Sequence, residues 1–120
     1  MANTPEARLK KRCLKWLKDK RFGNVWFYSP VDQASSGIPD LILSVGGCLG
    51  GLFTAVEFKA PKGTVSPIQN WTHDQIKKSG GEIRVIREFE EFKSFILNAI
   101  KKGEVKNGAS AIENQTAGIS

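Results

Sequence analysis

Histidine and cysteine are scarce in this 120-residue chain, which holds one histidine, His73, and two cysteines, Cys13 and Cys48. Those three side chains cannot complete the tetrahedral nitrogen and sulfur set of a zinc site, and two cysteines are too few for a disulfide framework. No apolar run approaches the roughly 20 residues that cross a bilayer. The first residues, MANTPEARLKKR, lack the apolar core of a signal peptide. A soluble, cytoplasmic protein is therefore expected. With 40% hydrophobic and 25% charged residues, the chain has the material for one core, which excludes a disordered polyelectrolyte and leaves no room for two full domains.

Acidic residues are scarce in one place only. Residues 1–21 carry eight bases (Arg8, Lys10, Lys11, Arg12, Lys15, Lys18, Lys20, Arg21) and two acids (Glu6, Asp19), whereas the remainder carries ten of each, so the whole formal charge of +6 sits on the first segment. A local field of that sign favours an anionic partner, either nucleic acid or a membrane surface.

Thr4-Pro5-Glu6 opens a helix with a hydroxyl cap, a proline at the first helical position and an acid in the positive first turn. Its apolar stripe is Leu9, Cys13, Trp16 and Leu17. At about 3.6 residues per turn, Glu6 falls on that same stripe. It is either a dipole-complementing acid that escapes into water at the helix end or a carboxylate aimed into a site. A membrane-surface role for this helix is disfavoured, because the core needs the stripe. The residues Arg8, Lys11, Arg12, Lys15 and Lys18 point outward, where they either solubilise the helix or track a duplex backbone.

Val25-Trp26-Phe27-Tyr28 reads as a strand, followed by a polar loop over 29–37 in which Ser35 and Ser36 can offer hydroxyls to a phosphate. Residues 41–45 and 52–59 flank the glycine-rich turn 46–51 as an antiparallel hairpin. Both of its strands are apolar on both faces, as in a sheet covered by helices on each side. A helix over 66–78, a strand over 83–86 and a last helix over 90–102 follow, with a mobile tail expected from 103 to 120. Trp16 and Trp26 are assigned to the core, Trp71 to core or interface, and His73-Asp74 to a solvated helix face. The order is α-β-β-β-α-β-α, an α/β domain over 1–102.

A hairpin symmetric about its turn sets Asp40 opposite Glu57. Facing Cβ atoms lie about 4.5–5.5 Å apart, where like charges destabilise a sheet. One acid must then hold a proton, or the two must hold a cation between them. Lys59, two residues beyond Glu57, returns to the same face. A one-residue slip in register would separate the pair. The plainer alternative, a strand-end ion pair of Lys59 with one acid, leaves unexplained why Glu57 sits within Thr54-Ala55-Val56-Glu57-Phe58, where charge is costly. Oxygen ligands suit hard cations such as Mg²⁺ or Mn²⁺. A cation there would polarise a phosphodiester and activate water, with Lys59 opposite the developing charge.

Gly37-Ile38-Pro39-Asp40, with Glu57-Phe58-Lys59 following at hairpin distance, resembles the PD-(D/E)xK nuclease signature. Adding Glu6 on the first helix and Gln69 on the next makes residues 4–90 similar to the virus-type replication-repair nuclease (VRR-NUC) family, in its small stand-alone phage-like form. The resemblance implies a restriction-endonuclease-like core, a mixed sheet flanked by helices. It also implies metal-dependent cleavage of branched, flapped or four-way-junction DNA by a homodimer working in phage replication or repair. Asp40 and Glu57 would then bind Mg²⁺, with Mn²⁺ able to substitute and the Phe58 carbonyl as a third protein ligand. Glu6 would orient water or support a second ion, Lys59 would be the catalytic lysine, and Gln69 would steady Lys59 or the scissile phosphate. Arg8, Lys11, Arg12, Lys15, Ser36 and Lys62 are the expected DNA contacts. The competing reading is a non-catalytic DNA-binding module that uses only the basic helix.

Overall fold

The computed structural model describes residues 4–30, 37–46 and 51–116, from 103 onward as backbone only. Ser35, Ser36, Cys48 and the interior of the glycine turn lie outside the described residues. The elements are α1 (Pro5–Lys20), β1 (Val25–Tyr28), β2 (Leu41–Val45), β3 (Leu52–Phe58), α2 (Pro67–Lys78), β4 (Glu82–Ile86) and α3 (Phe89–Thr116). Helix α1 starts as its sequence dictates, with the Thr4 hydroxyl accepting the Ala7 N–H at 3.1 Å. It ends at Arg21 in the left-handed region, φ 51°, where the cap N–H returns to the Leu17 carbonyl.

The strands form one mixed sheet in the order β1-β2-β3-β4, antiparallel except for β3 and β4, which the α2 crossover makes parallel. Leu41 pairs with Val56 and Val45 with Leu52, which is the symmetric hairpin register. Alternation then divides the sheet. One face presents Leu41, Leu43, Val45, Val56, Phe58 and Ile86 to α1 and α3, where Cys13, Leu17, Phe92 and Ile96 complete the core. Burial pushes the Cys13 thiol up to about 12, so it packs as an inert apolar group.

The other face is only half covered. Helix α2 lies over β3 and β4, while Ser44 and Phe53 stay exposed, so cover on both sides of the hairpin, as its apolar strands predict, is incomplete. Trp26, assigned to the core, differs from expectation. Trp26 is 62% exposed, because alternation along β1 turns Val25 and Phe27 inward. Trp71 is exposed on the outer side of α2. The last helix also runs further than 102, since no proline follows Pro67 and glycines weaken a helix without stopping it.

Gly37 fixes the approach of the loop to α2. Its φ is +73°, and a Cβ built there would stand 2.9 Å from both the Ile68 carbonyl and the Thr72 hydroxyl. Backbone at positive φ and a clash with another backbone group exclude any side chain. Gly37→Ala is therefore expected to destabilise the fold by about 1–3 kcal/mol. Gly23, with nothing within 4 Å, serves as control: Gly23→Ala should be neutral or add up to about 1 kcal/mol. Urea titration of the two variants reads the difference.

Candidate active site

Continuing the hairpin register by one pair beyond Leu41 and Val56 sets Asp40 against Glu57, on the face under α2. Glu57 is 1% exposed. Burial first, then the negative charge of Asp40 and a hydrogen bond between the two carboxyls, push its pKa up to about 8, against the pull of Lys59. Glu57 thus holds its proton well above the ordinary carboxylate range. Asp40 is held from the other side: its Oδ2 accepts the Phe58 N–H at 2.7 Å, and its own carbonyl accepts the Ser29 hydroxyl at 3.2 Å.

Gln69 meets Glu57 directly. Its Oε1 accepts the Ser66 N–H at 3.0 Å as half of the capping box that starts α2, so its Nε2 is left to donate to Glu57 Oε2, also at 3.0 Å. It thus touches the carboxylate, where the resemblance implied Lys59 or phosphate as its target. Four residues on, His73 falls on the same helix face. It is 6% exposed, with Nε2 3.3 Å from Glu57 Oε1. The structure therefore puts His73 in the cluster and not on the solvated face that its place beside Asp74 suggests; the helical phase it shares with Gln69 is the signal in the sequence. Burial and then Lys77 lower its pKa despite Asp74, which keeps the ring neutral.

Glu6 does turn inward. Its Oε1 accepts the Ala60 N–H at 3.4 Å, and Gly63 passes so close that a Cβ there would stand 3.4 Å from the same oxygen. Lys59 is half-buried, with its N–H bonded to the Ile86 carbonyl at 3.0 Å. The turn beyond it is clamped by Arg87, whose guanidinium donates to the carbonyls of Ala60 at 2.8 Å and Gly63 at 2.7 Å. Nothing in the sequence signals this contact, which joins segments far apart in the chain.

Among the described residues no three His, Cys, Asp or Glu side chains converge into a ready-made cation cage. The donor set nevertheless fits Mg²⁺, which is commonly held by one or two carboxylates together with substrate phosphates and water. The backbone supplies a further oxygen. Lys59 N–H bonds to β4, so alternation turns the Phe58 carbonyl toward β2, where the opposing position is Pro39, which has no N–H to offer. Outside this cluster, Arg8, Lys11, Arg12 and Lys15 are exposed along α1, and Lys62 is exposed beyond β3. Arg12 lies 4.0 Å over the Phe89 ring and Lys15 pairs with Asp19 at 2.9 Å, surface contacts that leave most of the positive field intact.

An α-β-β-β-α-β-α order, with an acid at the head of the hairpin and Glu-x-Lys on its second strand, defines the PD-(D/E)xK-like class of fold. Within it, the VRR-NUC domain family matches residues 8–89, and the chain belongs to that family. It is a nuclease-type domain. A solved structure titled "VRR_NUC domain" has the same fold, with a TM-score of 0.61 and 23% identity over 78% of this chain and 95% of that one. No curated protein matches. Among the described residues no helix is long and apolar enough to cross a membrane.

The raised Glu57 pKa has a consequence for stability. The folded chain keeps this proton after the unfolded chain has released it, so metal-free stability is full below the ordinary value of 4.5 and falls as pH climbs to about 8. Thermal unfolding in chelator should show midpoints declining across that window, and Glu57→Gln should flatten the decline. An undiminished slope in Glu57→Gln would assign it to other groups.

Proposed function

We propose that this chain is a metal-dependent deoxyribonuclease that hydrolyses phosphodiester bonds, selects branched, flapped or four-way-junction DNA, and acts as a homodimer. The observation that carries the reading is geometric: the hairpin register sets Asp40 against buried Glu57 on one sheet face, with Lys59 two residues beyond. Asp40, Glu57 and the Phe58 carbonyl would hold Mg²⁺ or Mn²⁺, with Glu6 on the α1 side supporting water or a second ion. Bound there, the cation would supply Lewis acidity toward the phosphodiester and lower the pKa of the attacking water.

The remaining work falls to this chain's residues. Lys59 offers positive charge to the phosphoryl oxygens as negative charge builds on them. Gln69 and His73 fix the Glu57 carboxylate, so no reorganisation is needed when the phosphate arrives. Arg87 holds the 60–63 turn, which fixes both the Glu6 contact and the position of Lys62. Arg8, Lys11, Arg12, Lys15 and Lys62 contact phosphates, which gives affinity without base readout.

Purified protein incubated with labelled duplex, flap and four-way-junction DNA should cut at least one of them with Mg²⁺ or Mn²⁺ and none in chelator. Lys59→Ala and Asp40→Asn should each lower the rate by about a hundredfold or more while DNA binding persists. Absence of metal-dependent cleavage of every substrate would leave the passive DNA-binding module. Lys11→Gln and Lys15→Gln should weaken binding to all sequences alike, each reducing the log–log salt slope by about 1. Mg²⁺ must displace the proton that burial holds on Glu57, so its stabilisation of the fold should be larger at pH 8 than at pH 6.

A further inference from the structure

The outward side chains of β1 are Trp26 and Tyr28, 62% and 51% exposed on the edge strand of the sheet. Their rings lie 12° from parallel with centroids 6.4 Å apart. Two large aromatics stacked at an edge leave apolar area in water that inward placement would have buried. Their position relates them to the site. Tyr28 pairs with Ile42, and Asp40 is two residues from Ile42 on the same face, so Tyr28 and Asp40 are diagonal neighbours, about 7–8 Å apart across the two strands. The Ser29 hydroxyl bond to the Asp40 carbonyl ties the end of β1 to that position. Beyond Tyr28 the open face continues through Trp26, Ser44 and Phe53, with no charged side chain among the described residues there.

Among the described residues, a strand of DNA leaving Asp40 across β1 would therefore meet ring faces and no cation, whereas the basic side chains that α1 offers to phosphates stand on the helix that packs the opposite face. Aromatic planes bind bases by stacking, and only unpaired bases expose their faces. We infer that Trp26 and Tyr28 form a stacking platform for the unpaired bases of a DNA strand next to the phosphate engaged by Asp40, Glu57 and Lys59. Its relation to the cut rests on the nuclease reading; its affinity for unpaired DNA does not. The platform selects substrates in which the nucleotides beside the cut are single-stranded, as in a flap or fork.

The test uses the full chain in chelator, with labelled oligo-dT and a blunt duplex read by fluorescence anisotropy. Trp26→Ala with Tyr28→Ala should weaken oligo-dT binding by about tenfold or more and leave the duplex unchanged, while Trp26→Phe with Tyr28→Phe retains most of the affinity. In a Trp71→Phe background, oligo-dT should quench emission that Trp26→Phe removes. Both side chains are exposed, so the variants should unfold at the wild-type midpoint. Unchanged oligo-dT binding, or equal loss on both probes, overturns the inference. A shift from dimer to monomer in sedimentation, with oligo-dT affinity intact, also overturns it by assigning the face to a second copy. If the wild type cuts no DNA yet binds oligo-dT through Trp26 and Tyr28, the nuclease reading fails and the platform stands. If it cuts while the double variant keeps the wild-type preference for flap over blunt duplex, the platform fails alone.

Discussion

Two carboxylates forced together at the end of a buried hairpin are the constraint around which the structure is arranged. A charged Glu57 inside the sheet, with Asp40 across from it, would unfold a fold of ordinary marginal stability if left unpartnered. The chain meets the cost by holding a proton on Glu57 above the ordinary carboxylate range and with donors fixed by elements that have their own reasons to be there. The amide of Gln69 is oriented by the start of α2, so the carboxylate receives N–H and not C=O. The Phe58 N–H turns to Asp40 where the ladder runs out at Pro39. Gly37 lets that loop approach α2 closely enough for the two halves of the site to meet.

This explains the unequal faces of the sheet. The face toward α1 and α3 carries the apolar burial, from Cys13 and Leu17 through Val45 and Val56 to Phe92 and Ile96. That concentration of stability frees the opposite face for polar and exposed groups that oppose folding. Helix α2 shields Glu57 from water over β3 and β4, which raises its pKa, and stops short of β1, which leaves Trp26 and Tyr28 open. A helix broad enough to cover the whole face would close the site.

The hairpin is legible in the sequence because a short glycine turn between two β-branched runs permits one symmetric register, and that register alone brings Asp40, Glu57 and Lys59 together. The inward phase of Glu6 is legible because helical periodicity carries it from the apolar stripe. His73 was within reach of the same periodicity once Gln69 was placed, but a single histidine beside an aspartate reads as a solvated pair until its helix has a partner. Trp26 misleads because hydrophobicity marks burial on average and says nothing of which face of an edge strand has a neighbour. Arg87 is illegible, since its partners are carbonyls, which every residue has.

The distribution of charge completes the physical picture. The excess of six positive charges sits on α1 and its cap residue Arg21, a helix whose apolar stripe faces the core, while Asp40 and Glu57 face the far side of the sheet at its end. A polyanion drawn to α1 must still bring one phosphate to the carboxylates. Two ionised acids would oppose that approach at close range, where screening by salt is weakest. Burial raises the Glu57 pKa to about 8, which lowers the negative charge this end of the sheet presents near neutrality, and Lys59 lies close enough to oppose what remains. Long-range attraction and short-range tolerance of phosphate therefore come from different residues. Burial of Glu57 serves the second as much as it serves any later exchange of its proton for a cation.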